Sequence, residues 1–413
     1  MTEHRKQLEI HPFNTPFRWC ILFGVWLAYY CFGLTIVTLA PLVTEISSDL
    51  KISYSQMGTI LGAWQLIYIG SAIPLGILLD RIGIRRSLMF AFAMIALSVV
   101  LRSTAENYTS LFLAVAIFGL GGPLISVGAP KSIGLWFDGQ ERGFAMGIYM
   151  TAPTLGTVTG LSLTNSFFMP LLEGDWRSVL LIYAAFIFSA SLIWLIITAH
   201  KAHRIIEKRE LNKKRDSEHK NILRLIKIPA FQIVLVMAIG IFFMNHGLNN
   251  WLPEILRSKG MNAAKAGNIA SIPVFFAVIS SLSIPRLAKQ KWRIPILFIL
   301  FSAFGLSTLA LQASEGLLLF IALILQGLAR GSAMTLAILV LLDIPGVGKQ
   351  RAGVAGGLFF SAAEIGGVLG PVSIGILSDT SGGFNTPLLM LSGVSILLLL
   401  LLAALKKQQK MTI

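Results

Sequence analysis

Charge is what this sequence has least of. Only 13% of its 413 residues are Asp, Glu, Lys or Arg, against about 25% in soluble domains. The deficit runs the length of the chain and excludes a soluble globular protein. Cysteine is nearly absent. Cys20 and Cys31 are the only two, and as residues of one helix they would stand about 16 Å apart. They are expected to be small buried residues, with no disulfide framework and no metal-ligand spacing. A G-x-x-x-x-G-K-[ST] phosphate loop is missing, which argues against direct ATP coupling. So are H-E-x-x-H and any Cys/His cluster, which leaves no metal centre. There are six histidines, and all but His246 fall in polar segments, so no Ser/His/Asp set can be assembled. No cofactor, no metal and no enzymatic activity are expected.

What is present is apolar sequence: 55% of residues are hydrophobic and the mean hydropathy is +0.76. A helix needs roughly 20 apolar residues to cross the hydrocarbon core. Twelve such runs are predicted, near 17–42, 56–79, 87–104, 109–133, 143–169, 178–199, 228–252, 264–285, 293–312, 316–342, 352–377 and 385–405. They are too long and continuous for barrel strands, and a spanning helix satisfies its own backbone. The expected fold class is an all-α membrane protein, with span 1 a retained first helix rather than a cleaved signal.

The net charge of +15 would suggest nucleic acid in a soluble protein. Here the basic residues sort by side. With the N-terminus inside, the outer loops hold Lys51, Arg102, Arg177, Arg257, Lys259 and Lys265, Arg330 lies within a span, and all other Lys and Arg are inner. Both termini are therefore expected in the cytoplasm. Lipid and a small-molecule substrate are the expected partners, with no nucleic acid, and a monomer is expected.

The basic stretch around Lys208-Arg209 and Lys213-Lys214-Arg215 divides the chain. It predicts an N-terminal half at 1–200, a linker at 201–227 and a C-terminal half at 228–413. The halves echo each other at an offset of 209. Gly139-Gln140-Glu141-Arg142-Gly143 matches Gly348-Lys349-Gln350-Arg351-Ala352, Gly58 matches Gly267, and Gly147 matches Gly356. Such internal symmetry marks transporters whose site lies between the repeats.

Between spans 2 and 3 the chain reads Gly76-Ile77-Leu78-Leu79-Asp80-Arg81-Ile82-Gly83-Ile84-Arg85-Arg86. This resembles the loop after helix 2 in the major facilitator superfamily, G-x-L-a-D-R-x-G-R-[KR], with a departure at Ile84 that displaces the basic pair by one residue. The resemblance implies twelve transmembrane helices in two six-helix pseudo-symmetric halves and secondary active transport by alternating access. It also implies that Gly76, Asp80, Arg81, Gly83 and Arg85 form a conformational gate, with Arg142 or the start of span 11 near Arg351 as partner for Asp80. Without it, the turn is a charged anchor at the headgroups. Span 7 ends Asn245-His246-Gly247-Leu248-Asn249-Asn250-Trp251-Leu252-Pro253, which is similar to the W-L-P ending in cyanate-permease-like, anion-transporting branches. Ala152-Pro153-Thr154-Leu155-Gly156 is a partial match to a span 5 pattern of exporters, and Pro153 is read as a bend.

Ionisable groups inside spans are costly and hence functional candidates. Arg330 in span 10 and Glu364 in span 11 either form a structural pair or face the cavity. In the second case Arg330 binds an anion through its planar fork, and Glu364 is a proton-coupling site. Gln326 is one turn before Arg330 on the same face. Lys131 either snorkels to the inner surface or adds a second positive charge at the cavity base. His246 and Asn249 share a helix face and either bind substrate or bond to a neighbouring helix. Tyr29, Tyr30, Trp64 and Tyr68 lie near span centres, as cavity wall or as packing. The functional expectation is symport of a small organic anion or carboxylate. Efflux of apolar or cationic compounds is the alternative, and a transporter-like membrane sensor is the alternative of another class.

Overall fold

The computed structural model of the protein describes residues 15–211, 225–312, 316–347 and 352–411. The Lys213-Lys214-Arg215 run and the Gly348-Lys349-Gln350-Arg351 phrase lie outside these residues. Among the described residues, eleven helices are long and apolar enough to cross a membrane. They are span 1 (Arg18–Leu50), span 2 (Tyr54–Ile82), span 3 (Ile84–Ser103), span 4 (Tyr108–Trp136), span 6 (Trp176–Ala199), span 7 (Pro229–Arg257), span 8 (Ala263–Leu287), span 9 (Gln290–Ala310), span 10 (Leu317–Leu342), span 11 (Val354–Ser381) and span 12 (Asn385–Gln408). Span 5 is the helix Gly139–Leu163, long enough to cross but too polar to qualify by composition, with five glycines and four threonines. It is flanked on both sides by spanning helices, and three of its threonines prove to line the central cavity.

Local chemistry sets the helix ends. Ser53 and Gln56 form a capping box at the start of span 2, and Asn107 and Ser110 form one at the start of span 4. These side chains satisfy backbone N–H groups that have no intrahelical partner. Gly83 ends span 2 with φ +88°, a left-handed backbone that glycine adopts without strain, and the chain turns directly into span 3. Span 1 breaks at a 3-10 turn, Ala40–Leu42, that contains Pro41. Arg102 braces the carbonyl end of its first segment, donating to Thr35 O at 3.1 Å and Thr38 Oγ1 at 2.7 Å. A cation there complements the helix dipole. Arg102 is thus not a solvated loop residue: it belongs to the last turn of span 3 and is 2% exposed. Cys31 is buried as expected, whereas Cys20 faces outward.

Glycines bring the helices together in the same pattern in each half. A Cβ at Gly33 or Gly156 would meet backbone across spans 1 and 5, and one at Gly366 or Gly370 would do so across spans 7 and 11. Gly119 meets span 2 from span 4, as Gly327 and Gly331 meet span 8 from span 10. Close approach through small residues is the usual means of packing helices in lipid, where no hydrophobic force separates helix from tail.

The glycine pairs of the 209-residue echo report how the halves meet. A Cβ at Gly58 would lie 2.6 Å from Pro371 O, and one at Gly267 2.3 Å from Leu161 O. Both positions lie at the end of the molecule away from the Asp80 turn. At the end that carries the turn, Gly76, Gly147 and Gly356 have nothing within 4 Å of their Cβ positions. The halves are clamped at one end and parted at the other.

The start of the linker is the helix Lys201–Leu211, docked beneath the first half. Glu207 Oε1 accepts from Arg85 N–H at 2.8 Å, at the N-terminus of span 3. It packs so close to Gly83 that a Cβ there would sit 2.4 Å away. His203 stacks on Trp136 with rings 3° from parallel and meets Trp194 edge-on. Burial, together with the charge of Arg85, lowers its pKa to about 4, so it is neutral.

Candidate functional site

A cavity of 310 Å³ lies between the halves. Span 5 supplies Thr151, Pro153, Thr154 and Thr157 to its wall, and span 1 supplies Gly33 and Ile36. Facing them are Asn245, His246 and Asn249 of span 7, Ser281 of span 8 and Arg330 of span 10. Arg330 is the only charged side chain in the lining, and among the described residues nothing pairs with its guanidinium. Ionisable side chains inside spans characteristically face such cavities and mark substrate or ion paths.

Arg330 and Glu364 do not form an ion pair. Glu364 is absent from the cavity lining and faces span 2 instead. Its Oε2 and the Cδ2 of His246 both lie within 3.4 Å of the point a Cβ on Gly367 would occupy. Oε2 is buried and makes no hydrogen bond. The side-chain amide of Gln65, from span 2, lies within hydrogen-bond distance of Nδ1 of His246, 3.2 Å away. His246 is therefore a link between the halves as well as a cavity wall.

The other sequence candidates are distributed as follows. Asn249 lines the cavity, and Asn250, one residue on, donates to His246 O at 2.9 Å. Lys131 does not reach the cavity: its Nζ lies 2.6 Å from Asp80 Oδ1. Asp80 thus meets Lys131 within its own half, while Arg142 lies against Gly134. Glu141 pairs with Arg18 at 2.7 Å. Arg81 is exposed. Tyr30 donates to Thr159 Oγ1 at 2.8 Å, Tyr29 packs edge-on against Tyr149, and Trp64 stands between Tyr68, Phe118 and His246. These aromatics form a shell behind the cavity wall. Gln326 is buried with both amide atoms unpartnered and lies outside the lining.

Sequence reasoning missed the seal at the closed end. Glu254, 5% exposed, accepts from Tyr54 Oη at 2.8 Å and from Thr44 Oγ1 at 2.7 Å. Arg257 pairs with Glu45 at 2.8 Å, and Asp379 accepts from the backbone N–H groups of Tyr54 and Ser55. Each contact joins spans 1 or 2 to spans 7 or 11. Ending span 7 near residue 252 hid Glu254; the helix runs to Arg257, and that extension makes Glu254 an ionisable residue inside a span. Trp251 Nε1–H donates to Pro371 O at 3.0 Å, so the W-L-P phrase packs span 7 on span 11.

The comparisons agree with this architecture. The model of the Major Facilitator Superfamily matches residues 22–314. An uncharacterized transporter of Bacillus subtilis, YycB, is 25% identical over 398 residues and covers 94% of both chains. GudP of Escherichia coli, named as a probable galactarate/D-glucarate transporter, is 26% identical over 410 residues, or 87% of each chain. The crystal structure of the nucleoside transporter NupG superposes with a TM-score of 0.78 at 16% identity, over 95% of this chain and 100% of that one.

Proposed function

The chain belongs to the Major Facilitator Superfamily, and from that premise we propose that it carries a small organic anion of the carboxylate class across the membrane by alternating access. The observation that carries this reading is Arg330, an unpaired guanidinium in the wall of the cavity between the halves. An intramembrane charge that faces a cavity without a counter-ion marks a place for a ligand of opposite sign, and its planar fork matches a carboxylate. The GudP likeness supports the same class.

In this reading residues 1–200 and 228–413 are the moving halves, 201–227 joins them, and the Asp80 end faces the cytoplasm with both termini. The seal through Glu254, Arg257 and Asp379 closes the outer end, and substrate exchanges with the cytoplasm. Asp80, held here by Lys131, changes partners when the inner end closes, and Gly76, Arg81, Gly83, Arg85 and Arg142 surround that exchange. Glu364 takes up the coupled proton: it sits beside Gln65 and His246, where the halves touch. The working unit is a monomer.

The test is the melting shift of purified protein against a panel of anions, cations and apolar compounds, beside Arg330→Ala. A ligand that binds only the native state raises its stability. Carboxylates should stabilise the wild type and not the variant. Stabilisation by cationic or apolar compounds alone would overturn the anion reading and bring efflux of such compounds to first place.

A further inference from the structure

Gln65 is a polar side chain in the middle of an apolar helix. It belongs to span 2 of the first half and is fully buried, and its amide reaches Nδ1 of His246 in span 7 of the second half. Its Oε1 has no hydrogen-bond partner. Nor has Oε2 of Glu364 in span 11. The two side chains are neighbours: Glu364 Oε2 and Gln65 Cγ lie 2.8 and 3.2 Å from the point a Cβ on Gly367 would occupy. Two orphaned oxygens and an imidazole thus meet where spans 2, 7 and 11 touch. An amide can serve such neighbours in two ways, since it donates at one end and accepts at the other. A protonated Glu364 donates to the Gln65 oxygen, and the Gln65 N–H then donates to a bare Nδ1. An ionised Glu364 can only accept. It takes the Gln65 N–H, so the amide turns over and its oxygen accepts from Nδ1–H.

We propose that Gln65 is a positioning residue that couples the proton on Glu364 to anion binding, by setting which nitrogen of His246 carries the ring proton. The proposal rests on the reading of Glu364 as the proton site and deepens it. The tautomer of a neutral imidazole is set by the hydrogen bond that one of its nitrogens makes. Nδ1 is committed to Gln65, so Nε2 is the nitrogen left for the cavity that the ring lines. With Glu364 protonated, Nε2 carries the hydrogen and offers an anion a donor in the cavity that Arg330 also lines. With Glu364 ionised, Nε2 shows a lone pair, which repels an anion. The protons balance. One enters the ring at Nε2 from cavity water, one leaves from Nδ1 for the Glu364 carboxylate as Gln65 turns, and the ring is neutral before and after. By linkage, the anion and the proton then favour each other's binding to the same extent, which is what symport requires. Of the other titratable groups, Tyr68 on span 2 faces Glu364, and Arg330 on span 10 faces His246. Span 12, which also packs on span 11, has no ionisable residue before Lys406. None of these is a second carboxyl that could take the proton instead.

The relay can be read without substrate. Full-length protein, isotope-labelled at the histidine ring nitrogens and the glutamate carboxyl carbons, is followed by NMR between about pH 5 and pH 9, a range that covers buried carboxyls. Spectra of His246→Asn and Glu364→Gln assign the two signals. Nitrogen shifts distinguish an N–H from a bare ring nitrogen, so they report the tautomer directly. As the Glu364 carboxyl loses its proton, the hydrogen on His246 should change from Nε2 to Nδ1 with the same midpoint. Gln65→Leu, close in size to the native side chain, should keep the carboxyl titration and abolish the change of tautomer. A tautomer that stays fixed while the Glu364 carboxyl titrates would overturn the relay and leave the proton reading standing, as would a change that persists in Gln65→Leu. A ring that becomes doubly protonated while Glu364 does not titrate would make His246 the proton site, and both readings would fail. They fail together as well if neither group titrates. The wild-type titration is decisive by itself should the Gln65 variant not fold.

Discussion

Two arginines inside apolar helices separate structure from function at the level of single residues. Arg102 is anchored at the break in span 1, its Nη1 donating to Thr35 and Thr38. Arg330 faces a cavity and has none among the described residues. Substitution by methionine should therefore act oppositely. Arg102→Met exposes a helix end to lipid-like surroundings and should cost about 1–3 kcal/mol, with ligand affinity kept. Arg330→Met removes an uncompensated charge, so the ligand-free protein should melt no lower than wild type while the anion-induced shift disappears. Thermal unfolding of both variants with and without ligand checks the pair; a large loss of ligand-free stability in Arg330→Met would count against the cavity role. The sequence rule that flags ionisable residues in spans found Arg330, His246 and Glu364. It passed over Glu254 because the predicted end of span 7 fell two residues short of it, and over Arg102 because a basic residue in the last turn of predicted span 3 counts with the outer loop.

Among the elements, the spans were legible because their apolar length is a physical requirement of the bilayer. The linker helix was not. Its charge dominates its composition, while it docks through His203 and Ile206, buried against the first half. His203 makes that docking depend on pH. Its pKa is lowered to about 4 in the docked helix, and exposed histidine titrates near 6.5. Above pH 6.5 the ring is neutral whether docked or free, and docking is at full strength. As pH falls from 6.5 towards 4 the undocked ring takes up a proton that the docked ring refuses, so docking weakens, by roughly 3 kcal/mol over the window. Protection of the 201–211 amides, measured relative to their intrinsic exchange rate at each pH, should fall as pH drops from 6.5 to 4.5, and His203→Phe should flatten that response. Protection that stays constant across this range in the wild type would show that His203 does not govern docking.

For the whole molecule, the offset of 209 residues proved to be spatial. Gly58 and Gly267 occupy matching clamps, and Gly147 and Gly356 matching open positions. The state of the transporter was not legible, because it depends on which end closes, and both ends draw on the same residue types. Gly58→Val tests the clamp. Its Cβ would lie 2.6 Å from backbone that belongs to the other half, so closure of that end should become less favourable. A cysteine placed at Met334, in the cavity wall, should then react faster with a membrane-impermeant reagent added outside sealed cells. An unchanged rate would show that the end does not open by parting of spans 2 and 11. Span 5 has a consequence for biogenesis. Three of its threonines line the cavity and two of its glycines pack it on span 1, but together they make a poor substrate for partitioning into lipid during synthesis. It has to enter the bilayer alongside neighbours that shield it. The first half then becomes committed to its topology only once span 6 has emerged, and the basic segment after span 6 holds the finished arrangement on its side of the membrane.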